Sequence, residues 1–109
     1  MSCVSSTMYN LSAAELYKDD LDKALLYIRD KLKAPVAASN LADNVAKCHQ
    51  NLKENPYIYE KCRASRLARK GYRRAVIQNF VLIYRIEEQH KRVYINRFFY
   101  GGSDYEKLL

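Results

Sequence analysis

The hydrophobic rhythm of this chain changes once, near its middle, and that change limits the possible folds more than any single residue does. In the first half the apolar residues recur at helical spacing. Leu21, Leu25, Ile28 and Leu32 form one stripe, and Leu41, Val45, Cys48 and Leu52 form a second. The spacing predicts a helix over 13–32, opened by a capping box in which Ser12 and Glu15 satisfy each other's backbone amides. Pro35 is placed to open the next helix, where a missing N–H costs nothing, and Asn55-Pro56 to end it. Two helices of similar length joined by a few residues must pack antiparallel. In the second half the runs "YRRAVI" (72–77), "FVLIYRIE" (80–87) and "RVYINRFFY" (92–100) are rich in Tyr, Val, Ile and Phe. Such residues favour strands, and the short polar breaks between the runs predict an antiparallel meander. Strict alternation puts Val93, Ile95, Arg97 and Phe99 on one face of the last strand, and Tyr94, Asn96, Phe98 and Tyr100 on the other. Residues 6–11 ("STMYNL") read as one more strand, and 55–70 as the least structured part. The class is α+β: one domain over 1–109, a helical hairpin packed on a small, about four-stranded antiparallel sheet whose second face is only partly covered.

Charge is distributed as unevenly as hydrophobicity. Residues 1–59 carry seven Lys/Arg against seven Asp/Glu, whereas 60–109 carry twelve against five, which is the whole net charge of +7. Within "KCRASRLARKGYRR" (61–74) seven residues are basic and none is acidic. A field this local favours a polyanionic partner, nucleic acid or an acidic protein segment. The other classes of chemistry find little support. Cys48-His49 and Cys62 fit no common zinc spacing, and Cys48 belongs to a helix stripe, so neither metal nor cofactor is expected. Three cysteines without a CxxC pair read as reduced thiols of a cytoplasmic protein. No run nears the roughly 20 apolar residues of a membrane span, and the first residues lack a secretory pattern. His49 and His90 have no nucleophile in a matching pattern. The adjacent pairs Asp19-Asp20 and Glu87-Glu88 read as solvated charges.

What remains is arginine interleaved with tyrosine on the meander. Arg73, Arg74, Arg85 and Arg97 could hold phosphates, and Tyr84 and Tyr100 could offer faces to unpaired bases. Against this stands the plainer reading that each tyrosine fills the core with its hydroxyl at the edge. The stretch 71–109, and above all "GYR", "NFVLIYRI", "VYINR" and "YGGSDYEKLL", resembles the C-terminal half of the RelE/ParE superfamily of bacterial type II toxins. Residues 12–56 are similar to the helical hairpin that precedes it there. The resemblance implies a helix pair on a four-stranded sheet, a cognate antitoxin that wraps the toxin, and growth arrest when the toxin is free.

Two modes of action occur in that superfamily. RelE-type members cut messenger RNA on the ribosome and ParE-type members inhibit DNA gyrase without being enzymes. The reading leans to action on translation. Arg73, Arg85 and Tyr105 are then the catalytic candidates, and Arg73, Arg74, Arg85, Arg97, Tyr84 and Tyr100 the RNA-binding ones. Gyrase inhibition is the alternative, and a non-toxic nucleic-acid-binding remnant the third reading. The catalytic match is incomplete. Val81 stands where RelE-type enzymes carry a middle-strand arginine, and Gly102-Ser103 where many relatives carry basic residues.

Overall fold

The computed structural model describes residues 8–102 and 107. The chain begins with strand β1 (Asn10–Ala13), then helix α1 (Glu15–Leu26) running on into a π-helical turn (Tyr27–Lys31), then helix α2 (Pro35–Glu54). A short 3₁₀ turn (Pro56–Ile58) and a five-residue helix α3 (Ser65–Arg69) lead to strands β2 (Tyr72–Ile77), β3 (Phe80–Glu87) and β4 (Arg92–Tyr100). The sheet order is β1-β4-β3-β2. β2, β3 and β4 form the expected antiparallel meander, but β1 joins the edge of β4 in parallel.

This edge strand displaces the predicted helix start. Ser12 pairs with Tyr94 in the ladder, and its Oγ accepts from Arg92 Nη1 at 2.9 Å. The ladder continues to the Ala14 amide, which donates to the Ile95 carbonyl. The helix therefore begins only at Glu15, without a side-chain cap. The expected strand over 6–11 is found over Asn10–Ala13, its first two predicted positions lying outside the described residues.

The second stripe is buried as its spacing requires: Leu41, Val45, Cys48 and Leu52 all lie in the core. Each such side chain contributes roughly 1.5–3 kcal/mol of hydrophobic stabilisation. The first stripe is only half realised. Leu21, Leu25 and Ile28 lean on the core, but the wider π turn rotates the helix surface and leaves Tyr27 and Leu32 exposed. The deepest residue of α1 is Tyr17, whose hydroxyl shares a hydrogen bond with His49 Nε2 at 2.7 Å.

The last strand departs from strict alternation. Ile83 pairs with Arg97 but Tyr84 pairs with Ile95, so Asn96 is an extra residue, a β-bulge. Past the bulge the faces exchange. Val93, Ile95 and Phe98 face the helices with Leu82, Tyr84, Ala75 and Ile77. Phe99 joins Val81 and Ile83 on the far face, in a second, smaller core closed by Cys62 and Leu67. The segment 55–70, expected to be irregular, is what supplies that closure. The Arg74 amide donates to the Glu60 carbonyl and the Cys62 amide to the Tyr72 carbonyl, extending the sheet beyond β2. α3 then lays Leu67 on the sheet, and just past its end stands Gly71, whose φ of +88° is the left-handed conformation that glycine takes best there.

Candidate functional site: an apolar recess and an arginine-bearing sheet face

The register places the predicted site residues on both faces of the sheet. Arg73 pairs with Tyr84, on the helix side. Its Nη1 donates to the Tyr59 carbonyl at 2.7 Å, and its guanidinium lies 5.1 Å from the Tyr57 ring centre. Tyr84 is wholly buried, and its hydroxyl donates to the Pro56 carbonyl at 2.6 Å. Burial drives that hydroxyl's pKa upward. It has no ring face to offer a base, so it is a core residue and not a stacking one.

The far face carries the other three arginines in two adjacent rows. Arg74, Ile83 and Arg97 are register partners across three strands; Tyr72, Arg85 and Tyr94 form the next row. Strand spacing sets Arg74 and Arg97 roughly 10 Å apart, close enough for one polyanion to reach both. Each, however, already has a partner within the protein. Arg97 donates from Nε and Nη2 to the two carboxylate oxygens of Asp20, at 2.7 and 3.2 Å, and lies over the Phe99 ring. Asp20 also accepts from the Phe98 amide on the edge of β4 that β1 leaves unpaired, at 3.1 Å. Asp20 is thus the anchor of α1 to the sheet and not a solvated charge. Arg74 Nη1 pairs with Glu60 at 2.8 Å, and its buried Nε has no hydrogen-bond partner. Arg85 lies 4.8 Å from the Tyr94 ring centre, part-buried. Tyr105 lies outside the described residues.

Tyr100 is the one predicted tyrosine among the described residues whose side chain is largely exposed. It stands at the end of β4, where the Gly101 amide donates to the Asn79 carbonyl at 2.7 Å. A Cβ on Gly101 would come within 3.1 Å of that oxygen, and one on Gly102 within 2.8 Å of the Tyr100 ring. The two glycines allow this close approach. Tyr100 and Phe80 form a ridge between two recesses. One, of about 220 Å³, opens towards Arg74 and Val76. The other, of about 540 Å³, is mostly apolar and lies against the tip of the helical hairpin, lined by Ala24, Tyr27, Ile28 and Leu32.

A second cluster was invisible in sequence. Glu88, read there as a solvated charge, accepts from Tyr9 at 2.6 Å, Tyr57 at 2.7 Å and Lys91. These contacts, led by Lys91, hold its pKa down at about 2. They tie the entry to β1, the 3₁₀ turn and the β3–β4 turn together. Glu87 likewise accepts from Tyr94 and contacts His90. Cys48 and Cys62 belong to cores on opposite faces of the sheet, so no shared metal can draw on both.

With this geometry in hand, comparison with known proteins decides the family. The model describing the ParE toxin of type II toxin–antitoxin systems matches residues 12–105. The chain belongs to the ParE toxin family. Among solved structures, a chain of the chromosomal ParDE toxin–antitoxin system from P. aeruginosa is 16% identical with a TM-score of 0.67, covering 86% of this chain and 97% of that one. A chain of the RelBE2 toxin–antitoxin complex from Mycobacterium tuberculosis is 20% identical with a TM-score of 0.60, covering 85% and 98%. A chain of the archaeal RelE–RelB complex from Pyrococcus horikoshii is 13% identical with a TM-score of 0.56, covering 87% and 97%. At these identities the likeness is one of fold, shared by ParE and RelE alike. No curated protein matches significantly in sequence.

Proposed function

We propose that this family member arrests growth by holding its target rather than by cutting RNA, with DNA gyrase, the target of ParE-type toxins, as that target. One observation carries this reading: Arg73, Arg74 and Arg97 are engaged by Tyr59, Glu60 and Asp20 in internal hydrogen bonds. Phosphoryl chemistry needs cations and a proton donor aimed at the reacting phosphate before substrate arrives. These arginines are held by the protein's own carbonyls and carboxylates rather than aimed together at one phosphate. The ribonuclease reading retains one support, the part-exposed Arg85 stacked on Tyr94 beside Arg97.

The cognate antitoxin is proposed to cover the apolar recess. Tyr27, Leu32 and Tyr100 are each more than half exposed there, a cost that a partner protein would remove. Induction of the chain alone, and then together with the gene beside it, tests both parts. Arrest with intact messenger RNA, relieved by the second gene, is the expected outcome. A Leu32→Asp variant should still arrest growth but escape rescue. Normal growth of cells holding the soluble chain would rule out the toxin, and messenger RNA fragmented within minutes would rule out the proposed mode.

A further inference from the structure

The strip from Glu60 to Gly71 is a mostly cationic segment laid along the edge of the sheet. Its inner side is fixed to the sheet by buried Cys62 and Leu67 and by the backbone bonds to Tyr72 and Arg74. Every exposed residue along it is Glu, Lys, Arg, Ser or Gly: Glu60, Lys61, Arg63, Ser65, Arg66, Arg69, Lys70 and Gly71. On α3 and the Lys70 that caps its C-terminus, Arg66, Arg69 and Lys70 are spaced at i, i+3 and i+4, turned away from Leu67, which sets neighbours about 5–6 Å apart along one side. Glu60 is the strip's one carboxylate, and it faces Arg74 at 2.8 Å with Arg63 at a distant 3.9 Å. Among the described residues no carboxylate forms an ion pair with Lys61, Arg69 or Lys70.

We infer that this strip binds the phosphodiester backbone of a nucleic acid. An acidic protein would fit the charge but not the surface. Protein interfaces have an apolar centre ringed by polar residues. This strip has no exposed apolar side chain, whereas the exposed apolar residues nearest in sequence, Tyr57, Ile58 and Val76, fall outside it. A surface that is polar, cationic and regularly spaced matches a row of phosphates. The strip adjoins the Tyr72–Arg85–Tyr94 row through the Cys62–Tyr72 backbone bond, so a strand bound on it would run towards stacked guanidinium and ring surface. This goes beyond the mode of growth arrest proposed above, and its residues are not those of the recess.

The test is the salt dependence of binding by the purified full chain to fluorescent oligonucleotides, one a DNA duplex and one single-stranded RNA. Affinity should fall steeply between about 50 and 200 mM salt, since each phosphate contact on duplex DNA adds about 0.9 to the log–log slope. The pair Arg69→Gln and Lys70→Gln should lower that slope by about 1.8. Lys31→Gln with Lys47→Gln, in the charge-balanced half, should leave it unchanged. Both doubles alter exposed residues, and matching thermal melts would show that the fold is intact. The two probes tell which nucleic acid is preferred. Absent binding at about 50 mM salt, an unchanged slope in the Arg69/Lys70 double, or binding to polyglutamate but to neither oligonucleotide would overturn the inference. Growth arrest by an unaltered chain that binds neither oligonucleotide would overturn this inference and leave the proposed mode of arrest standing.

Discussion

At the scale of single residues, the polar side chains that matter most here hold the chain to itself. Glu88 collects Tyr9, Tyr57 and Lys91 from three separate segments, and its folded pKa of about 2 lies below the ordinary carboxylate value. A carboxylate whose pKa is depressed on folding contributes stability that is fully present above its unfolded value near 4.3. That contribution is lost as pH falls through the window down to about 2. Thermal melts between pH 5 and pH 2 should show the loss, and Glu88→Gln should start less stable at pH 5 and decline less. Parallel curves for the two proteins would show that the cluster adds nothing. The sequence could not reveal this hub, because two of its three partners are 31 and 79 residues away in the chain. Tyr84 shows the converse. The sequence offered it as a face for an unpaired base, and its burial removes it from the candidate site.

Elements were legible where a single pattern ran long enough, and illegible where two patterns met. α2 carries four stripe residues over three turns and lies where its spacing and its flanking prolines put it. α3 escaped notice because five residues with one buried leucine make no periodicity. The capping box at Ser12 was overridden by strand pairing, since Ser12 lies within the β1 ladder and the ladder runs on to the Ala14 amide. The bulge at Asn96 exchanged the faces of Phe98 and Phe99, which no alternation rule applied to one strand can foresee. It also explains why Asp20 matters, for past the bulge α1's carboxylate takes the place of a strand neighbour on the edge of β4. Asp20→Ala removes a largely buried ion pair and leaves the Phe98 amide without its acceptor. We expect a loss of about 2–4 kcal/mol by denaturant titration, with the far-ultraviolet spectrum preserved. A loss under about 0.5 kcal/mol would place the pair among ordinary surface contacts.

For the molecule as a whole, the two halves of the chain divide the work. The charge-balanced helical hairpin presents the apolar recess at its tip, and the cationic half builds the sheet and the strip that extends it. One sheet thereby separates a surface suited to a protein partner from one suited to phosphates. The halves were visible in sequence as a change of hydrophobic period and of charge. The recess was not, because it exists only where the π turn exposes Tyr27 and Leu32 beside Phe80 and Tyr100 from the far end of the chain. On the proposed function, the chain stops growth by binding a target on the DNA side rather than by cleaving messenger RNA. Pulse incorporation of labelled thymidine and labelled amino acids in the first minutes after induction tests it most directly. The expected result is that thymidine incorporation stops first while amino-acid incorporation continues; the reverse order, with translation failing while DNA synthesis proceeds, would contradict it.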